Sequence, residues 1–194
     1  MDTISNRTNT VKRLMGSLVG ILGLALVVSS NVASAATECN GAVSGAVVGG
    51  VVVNAGDFCM LDGANVSGGV RVNSGGILIA CGSVINGGIV SDGAAGILIG
   101  PEEIACDGDT INGGVQISNT GPGVFPEPAP SIAVENSAIS GSVHLTGNQG
   151  MMAVAFNTIF GGLFCSNNIA NPTDEGAPSV ITGPTRCTFE EESE

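Results

Sequence analysis

Six cysteines, four crowded carboxylates and one histidine are the residues of this 194-residue chain best suited to chemistry. The cysteines stand at 39, 59, 81, 106, 165 and 187. An even number of them in an exported chain reads as a disulfide framework, because oxidising compartments keep such bonds formed. No Cys-x-x-Cys pair occurs, and His144, the only histidine, cannot complete a zinc site with them. The carboxylates Glu102, Glu103, Asp107 and Asp109 share the stretch "PEEIACDGD". They read first as a solvated turn, and second as oxygen ligands for weak calcium binding. No other cofactor is expected. Catalysis would ask for more than the sequence offers. A lyase needs a base and a neutraliser of acidic sugar, a glycosidase paired carboxylates, and a serine hydrolase an elbow such as "GxSxG". No residue is therefore assigned a catalytic role.

Export is expected from the N-terminus. Arg7, Lys12 and Arg13 precede the apolar run "LVGILGLALVV" at 18–28, and "ASA" at 33–35 offers a small-x-small cleavage site. Eleven apolar residues fall short of the ~20 that span a bilayer. Residues 1–35 are therefore expected to be a cleaved signal peptide, with no transmembrane segment left in the mature chain. Beyond Ala36 only Arg71 and Arg186 are basic. Asp2 is the one acidic residue before that point, so sixteen of the 17 remain and the mature chain carries a formal −14. Nucleic acid needs phosphate-neutralising Lys and Arg, and an anionic membrane needs a basic patch. Both partners are excluded.

The element that must position these residues is a repeat. "NVSGGVRV" at 65–72 returns as "VINGGIVS" at 84–91, "TINGGVQI" at 110–117, "AISGSVHL" at 138–145 and "TIFGGLFC" at 158–165. An aliphatic anchor precedes each small-residue pair, at Val47, Val66, Ile85, Ile111, Ile139 and Ile159. A recurrent unit of this length is a solenoid signature. Four residues past the anchor stand Val51, Val70, Ile89, Val115, Val143 and Leu163; six past it stand Val53, Val72, Ser91, Ile117, Leu145 and Cys165. The position between, Val52, Arg71, Val90, Gln116, His144 and Phe164, is mixed. Apolar, mixed, apolar is strand alternation with one face in and one out. The expectation is an all-β chain forming a single-stranded parallel β-helix of about six coils over 36–189, followed by an acidic tail at 190–194. Two insertions, 92–103 and 120–131, interrupt the spacing and are expected to be loops.

Coil register suggests the disulfides. Cys39 and Cys59 precede their anchors by eight and seven residues, Cys81 and Cys106 by four and five. Neighbouring coils ~4.8 Å apart lie within disulfide reach. That pairs Cys39 with Cys59 and Cys81 with Cys106, leaving Cys165 with Cys187 to close the C-terminal end.

The cysteine-bounded start, with "GAVSGAVVGGVVV" followed by "CMLDGANVSGGVRV" and the repeated octets, resembles a set of uncharacterised secreted bacterial proteins expected to form right-handed parallel β-helices. The resemblance covers most of 39–187. It implies the fold and export, and no activity. The two insertions depart from its more regular pattern.

These readings favour a secreted, non-enzymatic β-helix with a structural or cell-surface interaction role, outside the cell or in its envelope. The alternatives are a carbohydrate-active protein, binding or cleaving polysaccharide, and a self-assembling surface polymer. The partner would be an extracellular glycan or a surface protein. A polar strip holding Arg71, Gln116 and His144 offers one shallow track. The other candidate is the proline-rich insertion, where Val124, Phe125, Pro126 and Glu127 form the expected binding loop, with Phe125 exposed and the loop dispensable for stability.

Overall fold

The computed structural model describes residues 35–126 and 129–190. Residues 1–34 of the leader, Glu127, Pro128 and all of the acidic tail except Glu190 lie outside the described residues. The fold is all-β, with two long parallel sheets, an arrangement that fits a parallel β-helix. One sheet holds eight strands: Thr37–Glu38, Val51–Val53, Val70–Val72, Ile89–Asp92, Val115–Ser118, Val143–Thr146, Leu163–Ser166 and Thr185–Arg186. Each pairs with the next in register, so that Arg71 lies beside Val90, Val90 beside Gln116, and Gln116 beside His144.

The second sheet has eleven strands in two flanks. One flank carries the anchors, in Val84–Ile85, Thr110–Ile111, Ala138–Ile139, Thr158–Ile159 and Val180–Ile181. The other is Ile77–Cys81, Gly96–Ile99, Ile132–Glu135 and Met152–Ala155. Phe58–Val66 runs across both, pairing with Ile77–Cys81 and with Val84–Ile85, and Gly41–Val47 pairs along it.

The three apolar columns fill the interior. The anchors and the residues four beyond them are all buried, and Val53, Val72, Ile117 and Leu145 continue the third column. Two members break it. Cys165 is taken up by a disulfide, and Ser91, between Val72 and Ile117, buries a hydroxyl with no partner. The first glycine of the small-residue pair after the anchor is required by close approach between rungs. A Cβ on Gly113 would stand 2.7 Å from the Gly88 nitrogen, and one on Gly141 2.6 Å from the Gly114 nitrogen. Only a residue without Cβ fits there.

A polar ladder runs up the corner between the two flanks. The Ala64 N–H donates to Ser83 Oγ (3.1 Å), the Ser83 N–H to Asp109 Oδ1 (2.6 Å), and the Asp109 N–H to Ser137 Oγ (3.3 Å). It continues from the Ser137 N–H to Asn157 Oδ1 and from the Asn157 N–H to Ser179 Oγ. Each side chain satisfies a backbone donor that the turn would otherwise bury unpaired. Disulfides join Cys39 to Cys59, Cys81 to Cys106 and Cys165 to Cys187, with Cα separations of 5.4, 5.0 and 4.8 Å. This is the pairing that register suggests.

Three expectations need correction. The stretch 92–103 is not a loop: Gly96–Ile99 is a strand paired with Ile77–Ala80, and the extra residues follow it, with a 3-10 turn at Glu102–Ile104. The apolar run "GILI" fills a rung like its neighbours. A further copy of the octet, "VITGPTRC" at 180–187, also pairs onto the preceding one. Pro184 in place of the second glycine and Thr185 in place of the aliphatic residue conceal it. Finally, Phe125 is not exposed. It lies over Gly96 and packs with Met60 against Ile79, Leu98 and Ala133, a small cluster on the outer side of the second sheet.

Candidate functional site

The outward positions of the eight-stranded sheet make one column. From the N-terminal rung it reads Glu38, Val52, Arg71, Val90, Gln116, His144, Phe164 and Arg186, each beside the next. Alternation puts them there, since from Val52 to His144 each is flanked by two buried residues, while Thr37 and Thr185 beside the end members are exposed. Arg71, Gln116, His144 and Arg186 are exposed. Both basic residues beyond position 35, and the one histidine, thus share a single line on an otherwise acidic chain. Arg186 joins it only through the concealed repeat.

Shallow grooves lie along this column, floored by the glycine pairs. One of about 270 Å³ is lined by Gly50, Gly69, Arg71 and Val90; one of about 290 Å³ by Val90, Gln116, Gly141 and His144. They meet at Gly87 and Val90. A third depression, of about 150 Å³, includes Asn168 and Arg186. His144 and Phe164 stack with ring centroids 4.7 Å apart and planes within 18°. They face each other along the column, so this pair is a stiff ridge rather than a flat platform for a sugar ring.

The four carboxylates of "PEEIACDGD" do not converge. Glu102 and Glu103 sit on the 3-10 turn, and Asp107 is exposed beside Gly82. Asp109 is buried in the corner ladder, its Oδ2 without a partner. Burial pushes its carboxyl up to about 6, against the opposing Ser83 N–H. Glu103 instead meets Glu135 and Glu175, one carboxylate oxygen of each lying within 4.8 Å of the others. Glu135 is fully buried. Its Oε2 accepts the Glu102 N–H at 2.8 Å, and its Oε1 has no partner. Burial pushes Glu135 up to about 7, and the charges of Glu103, Glu175 and Glu102 add to the rise. Neither Glu135 nor Glu175 stands out in the sequence, because Glu135 is a lone acid, Glu175 follows only Asp174, and both lie far from "PEEIACDGD". Only the pairing of rungs brings them together.

In the proline-rich insertion Val124 is 55% exposed and Pro126 is exposed, whereas Phe125 turns inward. No protein-family model matches the chain, and comparison with curated proteins and with solved structures gives no match. Among the described residues, no helix is long and apolar enough to cross a membrane. The three disulfides fit an oxidising, extracellular environment.

Proposed function

We propose that the chain is an exported, non-enzymatic β-helix protein that holds an acidic glycan outside the cell. In this reading residues 1–35 are removed on export, and 36–189 form a solenoid of about six regular coils. The extra rung at 180–187 and the disulfides close it, with an acidic tail from 190. The observation that carries the reading is the single line of Arg71, His144 and Arg186 along glycine-floored grooves. An anionic polymer is repelled by the rest of a surface at −14, so this line is where it can approach. A linear glycan lying along the rungs meets the same backbone step of ~4.8 Å at each one. Gln116 and His144 face its hydroxyls, and the two arginines its carboxylates.

Binding rather than turnover is favoured because the column's ionisable groups stand on separate rungs. Glu135, whose pKa suits an acid, is buried away from the column and its grooves. The test is co-sedimentation or affinity electrophoresis with polygalacturonate, using dextran as the neutral control. Retention on the acidic polymer should fall about tenfold or more in R71A/R186A, at roughly 1 kcal/mol per exposed charged contact. Equal retention of the double variant would refute the reading. Release of new sugar ends during incubation would refute its non-enzymatic part.

Self-assembly has one observation in its favour. The column ends in Glu38 on one edge strand and Arg186 on the other, so a head-to-tail copy would set opposite charges side by side. Light scattering of wild type against E38R separates the two readings, because assembly lost in E38R points to end-to-end stacking.

A further inference from the structure

The carboxylates of Glu103, Glu135 and Glu175 come from three separate parts of the chain. Glu103 belongs to the 3-10 turn, Glu135 ends the rung Ile132–Glu135, and Glu175 lies in the turn before Pro178. Three like charges this close repel one another. Glu135 adds a second, independent sign. It is 0% exposed, and its Oε1 reaches no donor, although an unpaired buried carboxylate oxygen is costly. A cation between the three would resolve both the repulsion and the unpaired oxygen.

The donors are all oxygen, which suits a hard cation. Size narrows the choice. Two ligands on opposite sides of Ca²⁺, at ~2.4 Å each, are ~4.8 Å apart, whereas on Mg²⁺ they are only ~4.2 Å apart. These oxygens lie within 4.8 Å of one another, inside the calcium shell, and carboxylates from three separate turns suit the flexible coordination of Ca²⁺ better than the strict octahedron of Mg²⁺. We propose that Glu103, Glu135 and Glu175 form a calcium site. It differs from the cluster suggested by sequence, of which it keeps only Glu103. The bound ion clamps the 3-10 turn and the C-terminal turn onto the rung that ends at Glu135. The clamp would form once the protein reaches calcium-rich surroundings, with a dissociation constant of about 10⁻⁴–10⁻³ M, as in extracellular modules. It does not depend on the glycan reading, since the two sites lie on different sheets.

The experiment is calcium titration of the purified, disulfide-bonded protein by calorimetry, paired with thermal unfolding in calcium, magnesium or EDTA. One ion should bind, and the melting temperature should rise by about 2–4 °C at tenfold excess over the dissociation constant, with a smaller rise in magnesium. E103Q/E175Q alters only exposed side chains. It should abolish the binding and the calcium shift while still unfolding cooperatively in EDTA. E102Q/D107N, equal in charge removed, should keep both. Three results would overturn the site: no heat and no shift in millimolar calcium, binding that survives E103Q/E175Q, or binding lost equally in E102Q/D107N. The last would mean diffuse attraction to an acidic surface.

Discussion

The outer faces of the two sheets are built to opposite plans. On the eight-stranded sheet the outward residues are Arg71, Val90, Gln116 and His144, all exposed. On the Ile77–Cys81 flank of the second sheet they are Ile79, Leu98, Ala133 and Ala153, all buried. The backbone is the same parallel ladder in both. The difference lies in what covers it. The proline-rich insertion folds back so that Phe125 closes over Ile79 and Leu98, whereas nothing among the described residues lies over His144 in this way. A sheet buried on both faces takes apolar residues at successive positions, as in "ILIAC" and "MAVA"; a sheet with one wet face alternates. The insertion is thus a structural cover, and the plainer face is the one left free to bind. Burial follows the same division among ionisable groups: Asp109 and Glu135 are buried with the second sheet, while Arg71, His144 and Arg186 stand in water.

The largest expected effect breaks this comparison by placing a charge on each face in turn. Ala133→Asp buries an unpaired carboxylate between Leu98 and Ala153 and should cost about 4 kcal/mol or more, enough to lose the fold in a marginal domain. Gln116→Asp, the matching change on the open sheet, should stay within about 0.5 kcal/mol. Chemical denaturation of both variants makes the measurement, and equal losses would mean the faces do not differ.

Asp109 gives a pH-dependent contrast. Its carboxyl titrates near 3.8 when unfolded and near 6 when folded, so the native state keeps a proton that the unfolded chain has released. The stability this lends is full below about pH 4 and is lost as pH rises through 6. Asp109→Asn cannot ionise. It should match wild type near pH 4 and exceed it by up to about 3 kcal/mol at pH 7. A difference that does not change between these pH values would count against burial as the cause.

Phe125→Ala tests the cover itself. Removing a partly buried ring from the cluster over Leu98 should cost about 2 kcal/mol, whereas Phe164→Ala on the open column should cost under about 1 kcal/mol beyond the loss of its stack with His144. Reversal of that order would contradict the assignment of faces. The smallest expected effect is a gain. Ser91→Val replaces an unpaired buried hydroxyl with methyl groups between Val72 and Ile117 and should raise stability by about 1 kcal/mol. A loss of stability would mean that Ser91 has a partner in solution.

The parallel β-structure was legible from the octet because its glycines and aliphatic columns each answer one local demand, the corner and the core. The open column was legible for the same reason: Arg71, Gln116 and His144 sit at fixed offsets from their anchors. Arg186 escaped because Pro184 and Thr185 satisfy the corner and the edge rung with different residue types. The fate of Phe125 was not legible, since an exposed apolar anchor and a covering ring look alike in an isolated loop. What decides between them is the double-sided run of Ile79, Leu98 and Ala133, which reads simply as core until register places it outside. Glu135 and Glu175 meet only through that long-range register.

Hydroxyl-radical footprinting of the protein, with and without polygalacturonate, most directly tests the claim that the open face binds and the covered face supports. The polymer should protect His144 and Phe164, with Met60 and Phe125 reacting as in the free protein. Protection centred on Val124 and Phe125, with His144 and Phe164 unchanged, would contradict it.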